Sequence, residues 1–262
     1  MTLLSRSFPV LLFAALVVGV VVFAGSRSGE QTRALAATRS AADVPLKDAK
    51  LNIEHNATDR DTGFQGFVDS EGWRRLDVGG PAGKVLTFQG RRALGELGLT
   101  ELFFETVEPA NADTTIEEML AKLPEGNYKI AGPAQENGER LGRTAGTAWL
   151  MHDIPAGPRL VSPAEGATVP TRGVVADWEA VSKTITGKPV RIIAYQLIIE
   201  KDAEPHRHMI GKLGLSMYLP RSVTSIDVPD GFLESDTAYE WEVLAIERSG
   251  NQTLSSGSFQ TR

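Results

Sequence analysis

The chain has 262 residues, 42% of them hydrophobic, and a formal net charge of -6. That apolar content suffices for packed cores and argues against a globally disordered chain, while an acidic balance without a basic cluster argues against nucleic acid as a partner. With no cysteine present, disulfides, thiolate metal sites, thiol catalysis and a lipidated N-terminal cysteine are excluded.

Arg6 precedes an uncharged apolar run from Phe8 to Gly25, the order found in an export signal, and Val22-Phe23-Ala24 offers a cleavage site. The run is long for a signal and close to the lower limit for crossing a bilayer. Two fates are therefore open for residues 1–25: removal from a periplasmic or extracellular protein, or retention as an anchor in the cytoplasmic membrane. Membrane contact is expected only through this segment, if it stays uncleaved. Residues 26–49 are rich in Ala, Ser, Thr and Arg without an apolar period and read as a flexible spacer spanning roughly 25–30 Å.

Residues 50–155 predict a first β-sandwich. Alternation over Leu51–His55 opens a strand; Leu76–Val78 and Val85–Phe88 flank a Gly79-Gly80-Pro81-Ala82-Gly83 turn; further strands fall at 100–105, 128–130 and 144–151. One helix is predicted, from Thr114 or Thr115 to Leu123, because Thr114 with Glu117 or Thr115 with Glu118 has capping-box spacing and Pro124 stops it. Between the first strand signals lies an oxygen-rich stretch. Asn56, Asp59, Asp61, Asp69 and Glu71 are candidate ligands for calcium, which takes six to eight oxygens, although the spacing is not that of an EF-hand loop. A solvated turn rich in Asn, Asp and Gly is the alternative. No other cofactor is expected. Asn56-Ala-Thr58 and Asn251-Gln-Thr253 are glycosylation sequons.

Residues 156–262, after Ile154-Pro155-Ala-Gly157-Pro158, predict a second sandwich. Strands are expected at 174–178, 191–200, 209–213, 225–229, 237–246 and 254–261. Tyr239, Trp241, Val243 and Ala245 alternate with Glu240, Glu242, Leu244 and Ile246, so one face of that strand can enter a core, and Gly250-Asn251 turns the chain back. About seven strands in about 105 residues is the count of an immunoglobulin-like sandwich. Pro163, Trp178, Tyr195, Leu233, Thr237, Tyr239, Val243 and Ala245, closed by the Gly250-Asn251 hairpin, resemble a fibronectin type III domain. The resemblance implies that Trp178 is a core residue and that Tyr239 is a tyrosine corner, its hydroxyl bonding back near Leu233. The whole arrangement resembles exported bacterial proteins that carry this module.

No familiar catalytic motif stands out. His55, His152 and Ser216 form no readable nucleophile arrangement, and Gly214-Leu-Ser216 lacks the second glycine of a nucleophile elbow. His206 and His208, after Glu204, have strand spacing for a shared metal, but Pro205 favours a loop. The fold expected is all-β: two tandem immunoglobulin-like, fibronectin type III-like sandwiches, with one short helix in the first, behind an N-terminal hydrophobic helix. The function expected is a non-enzymatic extracytoplasmic binding or spacer module, a rod that presents loops to an unidentified protein or glycan ligand. The alternatives are a calcium-stabilised carbohydrate-binding accessory using Asp59, Asp61 and an exposed Trp73, and an exported hydrolase marked by perturbed carboxylates or histidines in a cavity.

Overall fold

The computed structural model describes residues 44–262. The apolar run of residues 8–25 and most of the expected spacer lie outside them. Among the described residues, no helix is long and apolar enough to cross a membrane.

The first unit runs through β1 (Val44–Pro45), β2 (Asp48–Asn56), β3 (Asp61–Trp73), β4 (Arg75–Gly80), β5 (Gly83–Gln89), α1 (Arg92–Leu97), β6 (Leu99–Glu105), α2 (Ile116–Lys122), β7 (Gly126–Glu136) and β8 (Glu139–Leu150). One layer is β2-β3-β6, the other β5-β4-β7-β8, with β1 added in parallel to β8. The long β3 joins them: it pairs with β2 and β6 along its length, and its last residue, Trp73, bridges Ala134 of β7. Leu51, Ile53, Phe64 and Val68 from the first layer pack against Leu76, Val78, Tyr128, Ile130 and Leu150 from the second. The expected helix forms as α2. Thr115 Oγ1 accepts the Glu118 amide, the Glu118 carboxylate accepts the Thr115 amide, and Met119 is buried. The sequence signals missed α1 and the whole of β3, and they placed the end of the spacer too late, since Val44, Pro45 and Asp48 already pair in sheets.

The second unit comprises β9 (Leu160–Ser162), β10 (Ala167–Val169), β11 (Val175–Trp178), β12 (Ile192–Lys201), β13 (Gly214–Pro220), β14 (Ser225–Asp227), β15 (Ala238–Glu247) and β16 (Gln252–Thr261). Three strands, β14-β11-β9, face four, β13-β12-β15-β16, with β10 parallel to β16. This is the fibronectin type III-like sandwich. Tyr239, Trp241, Val243 and Ala245 point into its core, with Trp178 edge-on to Tyr195 at 5.6 Å between ring centroids. The tyrosine corner is present: Tyr239 Oη accepts the Glu234 amide at 2.8 Å. One strand differs from expectation. Residues 209–213 stay in an exposed loop, and the strand forms at 214–220, because only there do Leu215, Met217 and Leu219 alternate onto the core while pairing with β12.

The two units are joined edge to edge. β2 and β16 pair in parallel, but only through Gln252 with Glu54, Thr253 with His55 and Leu254 with Asn56. These are the last residues of β2 and the first of β16. The units thus overlap by ~10 Å and otherwise extend in opposite directions. The Pro-rich segment is not a free hinge, because β16 fastens it from the side. Asn251 is fully buried; its amide nitrogen donates to the carbonyls of Met151 and Asp153 at 2.8 and 3.0 Å, and its oxygen accepts the Ile53 amide at 2.8 Å. Thr253 Oγ1 donates to the Pro155 carbonyl at 2.6 Å. All hydrogen-bonding capacity of the Asn251 amide nitrogen is used inside the protein, so this sequon offers no nitrogen for a glycan in the folded chain.

Candidate functional site

Alternation puts Ile53 into the first core and Glu54 on the opposite face of β2. In an isolated sandwich that face would be solvated. Here the sheet continues into the second unit, and Glu54 is only 8% exposed. Around it gather Glu105 at the end of β6, Glu108 just after it, and Asp61 at the start of β3. Oxygens of Glu54, Glu105 and Glu108 lie within 4.8 Å of one another. Gly63 makes room for this approach: a Cβ there would lie 2.7 Å from Glu108 Cγ. Glu242 of β15, on the face of that strand turned away from its core, adds its charge to the same field.

The partners are amides rather than cations. Gln252 Nε2 donates to a Glu54 oxygen and, at 3.1 Å, to Gln65 Oε1, while Gln65 Nε2 donates to Glu105 at 3.4 Å. Among the described residues no lysine or arginine bonds Glu54, Glu105 or Glu108. Asp61 Oδ1, Glu108 Oε1 and Glu242 Oε2 are buried without a hydrogen-bond partner among the described residues. Burial without a counter-charge favours the protonated acid. Desolvation, opposed by the Gln252 bond and reinforced by Glu105, pushes Glu54 up to about 7. Desolvation and then the neighbouring charges of Glu54, Glu105 and Asp61 push Glu108 up to about 8. Asp61 rises to about 6 and Glu242 to about 7, in both cases chiefly by desolvation, and Glu105 is raised by the same cause. His55, on the core side of β2, is lowered by burial; its Nδ1 faces the Asp61 carbonyl at 3.0 Å and so carries the proton.

Of the five calcium candidates, the structure brings Asn56, Asp59 and Asp61 into one hairpin. There the Asn56 side-chain oxygen accepts the Thr58 and Asp59 amides, and its nitrogen donates to Asp59. Asp69 stands eight residues beyond Asp61 on β3, ~26 Å along an extended strand, and Glu71 pairs with Lys47. The five therefore cannot share one ion. Among the described residues, Glu54, Glu105 and Glu108 have the spacing for a hard cation. Glu105 and Glu108 are a neighbouring pair in the sequence, as in any acidic chain, and what the sequence does not show is that Glu54, from a separate stretch, joins them. Trp73 is fully buried, with Nε1 donating to the Thr100 carbonyl at 3.4 Å, so it cannot stack a sugar. Trp149 is 54% exposed. His206 and His208 stand in the exposed loop, ring centroids 5.5 Å apart, with Arg207 Nε donating to His208. His152 bonds the Leu123 carbonyl, and Ser216 accepts from Gln196. The hydrolase expectation asked for perturbed carboxylates in a cavity. The raised carboxylates of the cluster do not line the groove of about 530 Å³, whose one carboxylate, Asp77, is instead lowered by its bonds to Lys84, Thr87 and Arg75.

No family model matches the chain, and no curated protein matches it. Among solved structures, a two-domain fibronectin type III segment from chicken tenascin matches at 11% identity and a TM-score of 0.29, over 82% of this chain and 98% of that one. The chicken CNTN1 FN1-FN3 domains match at 12% identity and a TM-score of 0.33, over 84% of this chain and 65% of that one.

Proposed function

We propose that the protein is an extracytoplasmic binding or spacer module, in which two sandwiches held at a fixed angle set distance and present a surface to a protein or glycan ligand. The observation that carries this reading is the fastened junction. Pairing of β2 with β16, together with the buried bonds of Asn251 and Thr253, replaces a hinge by a continuous sheet. Arg6 and the apolar run behind it support export or anchoring. Because the chain has no cysteine, spin labels on cysteines placed at the exposed Lys122 and Arg221 report the two units alone. A single narrow distance peak is expected, with the protein recovered outside the cytoplasm or in the membrane fraction. A broad distribution, or a cytoplasmic protein with intact Met1, overturns the proposal.

A second reading, calcium stabilisation, is favoured by one observation, the 4.8 Å spacing of the Glu54, Glu105 and Glu108 oxygens. An ion that binds only the native state raises its melting temperature. At pH 8.5, millimolar calcium is expected to raise the Tm of the parent and not that of Glu105→Gln. An equal response, or none in either protein, removes this reading.

A further inference from the structure

Sheet edges in this protein are guarded in two ways. Among the described residues, β1, β9, β10 and β14 are only two or three residues long, while β5 carries Lys84, β6 carries Glu101 and Glu105, and β8 carries Glu139 and Arg140. Short length and charge both keep an edge from recruiting another strand. β13 has neither. It is seven residues long, Gly214-Leu-Ser-Met-Tyr-Leu-Pro220, without a charge and without a bulge against β12, and no described strand covers its other side. Lys201 N donates to Leu213 O, so the alternation of an antiparallel ladder commits the backbone groups of Leu215, Met217 and Leu219 to β12. Those of Gly214, Ser216 and Tyr218 point outward. The same alternation lays Leu215, Met217 and Leu219, half-buried, against the core and leaves Ser216 and Tyr218 exposed.

The strand is also its own complement. Turned about a two-fold axis at Met217, a second copy sets Leu215 against Leu219, Met217 against Met217 and Ser216 against Tyr218. Core-side residues meet core-side residues, no like charges face each other, and the outward amides and carbonyls of Ser216 and Tyr218 exchange hydrogen bonds in both directions. Pro220, without an N–H, ends the ladder. Exposed apolar side chains gather at both ends of the strand: Met209, Ile210 and Leu213 before it, and Ile193 next to Ala194, the partner of Pro220. The two-fold brings the start of one β13 beside the end of the other, so these groups approach and are covered together. We infer that β13 is an interface on which a second copy of this chain adds its own β13 antiparallel, continuing the sheet from one second unit into the other. The inference does not rest on the proposed function. In the spin-label measurement, diluting the labelled chain into unlabelled chain removes distances between copies, so the two can fail separately.

Sedimentation of the full chain is expected to show a reversible monomer–dimer equilibrium between about 1 µM and 1 mM, the range for a small interface. Tyr218→Pro removes an outward amide from each copy, at an edge position where proline is tolerated. It is expected to weaken the dimer about tenfold or more with an unchanged melting curve, while Tyr218→Phe associates as the parent does. Because the chain has no cysteine, Met217→Cys tests the register. Cα atoms of a non-hydrogen-bonded pair stand ~4.5 Å apart, within disulfide reach, so oxidation is expected to yield a covalent dimer. Leu215→Cys, ~13 Å from its counterpart in that register, is expected to yield none. If Tyr218→Pro melts lower, the cross-link decides alone. A chain that stays monomeric throughout, a dimer that a folded Tyr218→Pro leaves unweakened, or cross-linking through Leu215 rather than Met217 overturns the inference.

Discussion

Replacing Asn251 by alanine is expected to destabilise the protein by about 3–5 kcal/mol and to split its unfolding into two transitions. The side chain is fully buried and serves three backbone groups: the carbonyls of Met151 and Asp153, at the end of the first unit, and the amide of Ile53, in the middle of β2. Truncation leaves all three without a partner and without water, and each unsatisfied buried group costs about 1–3 kcal/mol. The loss lands at the junction itself, where β2 and β16 pair over only three residues. In the parent, urea unfolding followed by tryptophan fluorescence and by circular dichroism is expected to give coincident curves, because neither unit opens without breaking the shared sheet. In the variant the curves are expected to separate. Asn251→Asp is expected to do no better than alanine. It retains an acceptor for Ile53 but sets a carboxylate against two carbonyl oxygens. A single transition shifted by less than about 1 kcal/mol would show that the junction does not depend on this residue.

The sequence makes the second sandwich legible because its information is local and redundant. Tyr239, Trp241, Val243 and Ala245 announce both a strand and its inner face, and Tyr239 finds its partner only five residues back at Glu234. Helix α2 is legible for the same reason, its Thr115–Glu118 capping box lying within one turn. The junction is different in kind. Gly250-Asn251 looks like any hairpin turn, and nothing nearby shows that Asn251 bonds Ile53 across 198 positions. Strand β3 was hidden by its own composition. Asp61, Gly63, Gly66 and Gly72 are turn-forming residues, yet Gly63 and Gly66 are there because Glu108 and the Phe104 ring lie where a Cβ would go. The carboxylate cluster was illegible because period 2 separates two faces of a strand but cannot say that both are covered. Glu54 reads as a solvent-facing residue of an alternating strand, and it becomes buried only when a second sheet edge docks beside it.

That burial makes stability fall as the solution becomes alkaline. For Glu54, the ordinary value of 4.5 rises to about 7 in the folded protein. Between those two values the native state holds a proton that the unfolded chain has released, so the group's stabilising contribution is intact below pH 4.5 and is lost as pH rises through about 7. At about 1.4 kcal/mol per unit, Glu54 alone costs the folded state about 3 kcal/mol once fully ionised. Glu108, raised to about 8, acts in the same direction and extends the loss upward in pH. His55 works the other way: lowered by burial, it withdraws stability as pH falls below its ordinary value. The parent is therefore expected to be most stable in mild acid, and the carboxylate part is isolated by comparison with Glu54→Gln. That variant can still bond Gln252 and carries no charge at any pH. Measured in urea with a chelator present, it is expected to match the parent within about 1 kcal/mol at pH 5 and to exceed it by about 2–3 kcal/mol at pH 8.5. The groups facing Glu54, namely Asp61, Glu105, Glu108 and Glu242, remain in the variant, as does Lys212 beside Glu242. A residual slope is thus expected, shallower than the parent's. If Glu54→Gln instead runs parallel to the parent across the whole range, Glu54 is ionised in the folded protein at every pH tested. The two sandwiches are then held together in spite of that charge, not by its neutralisation.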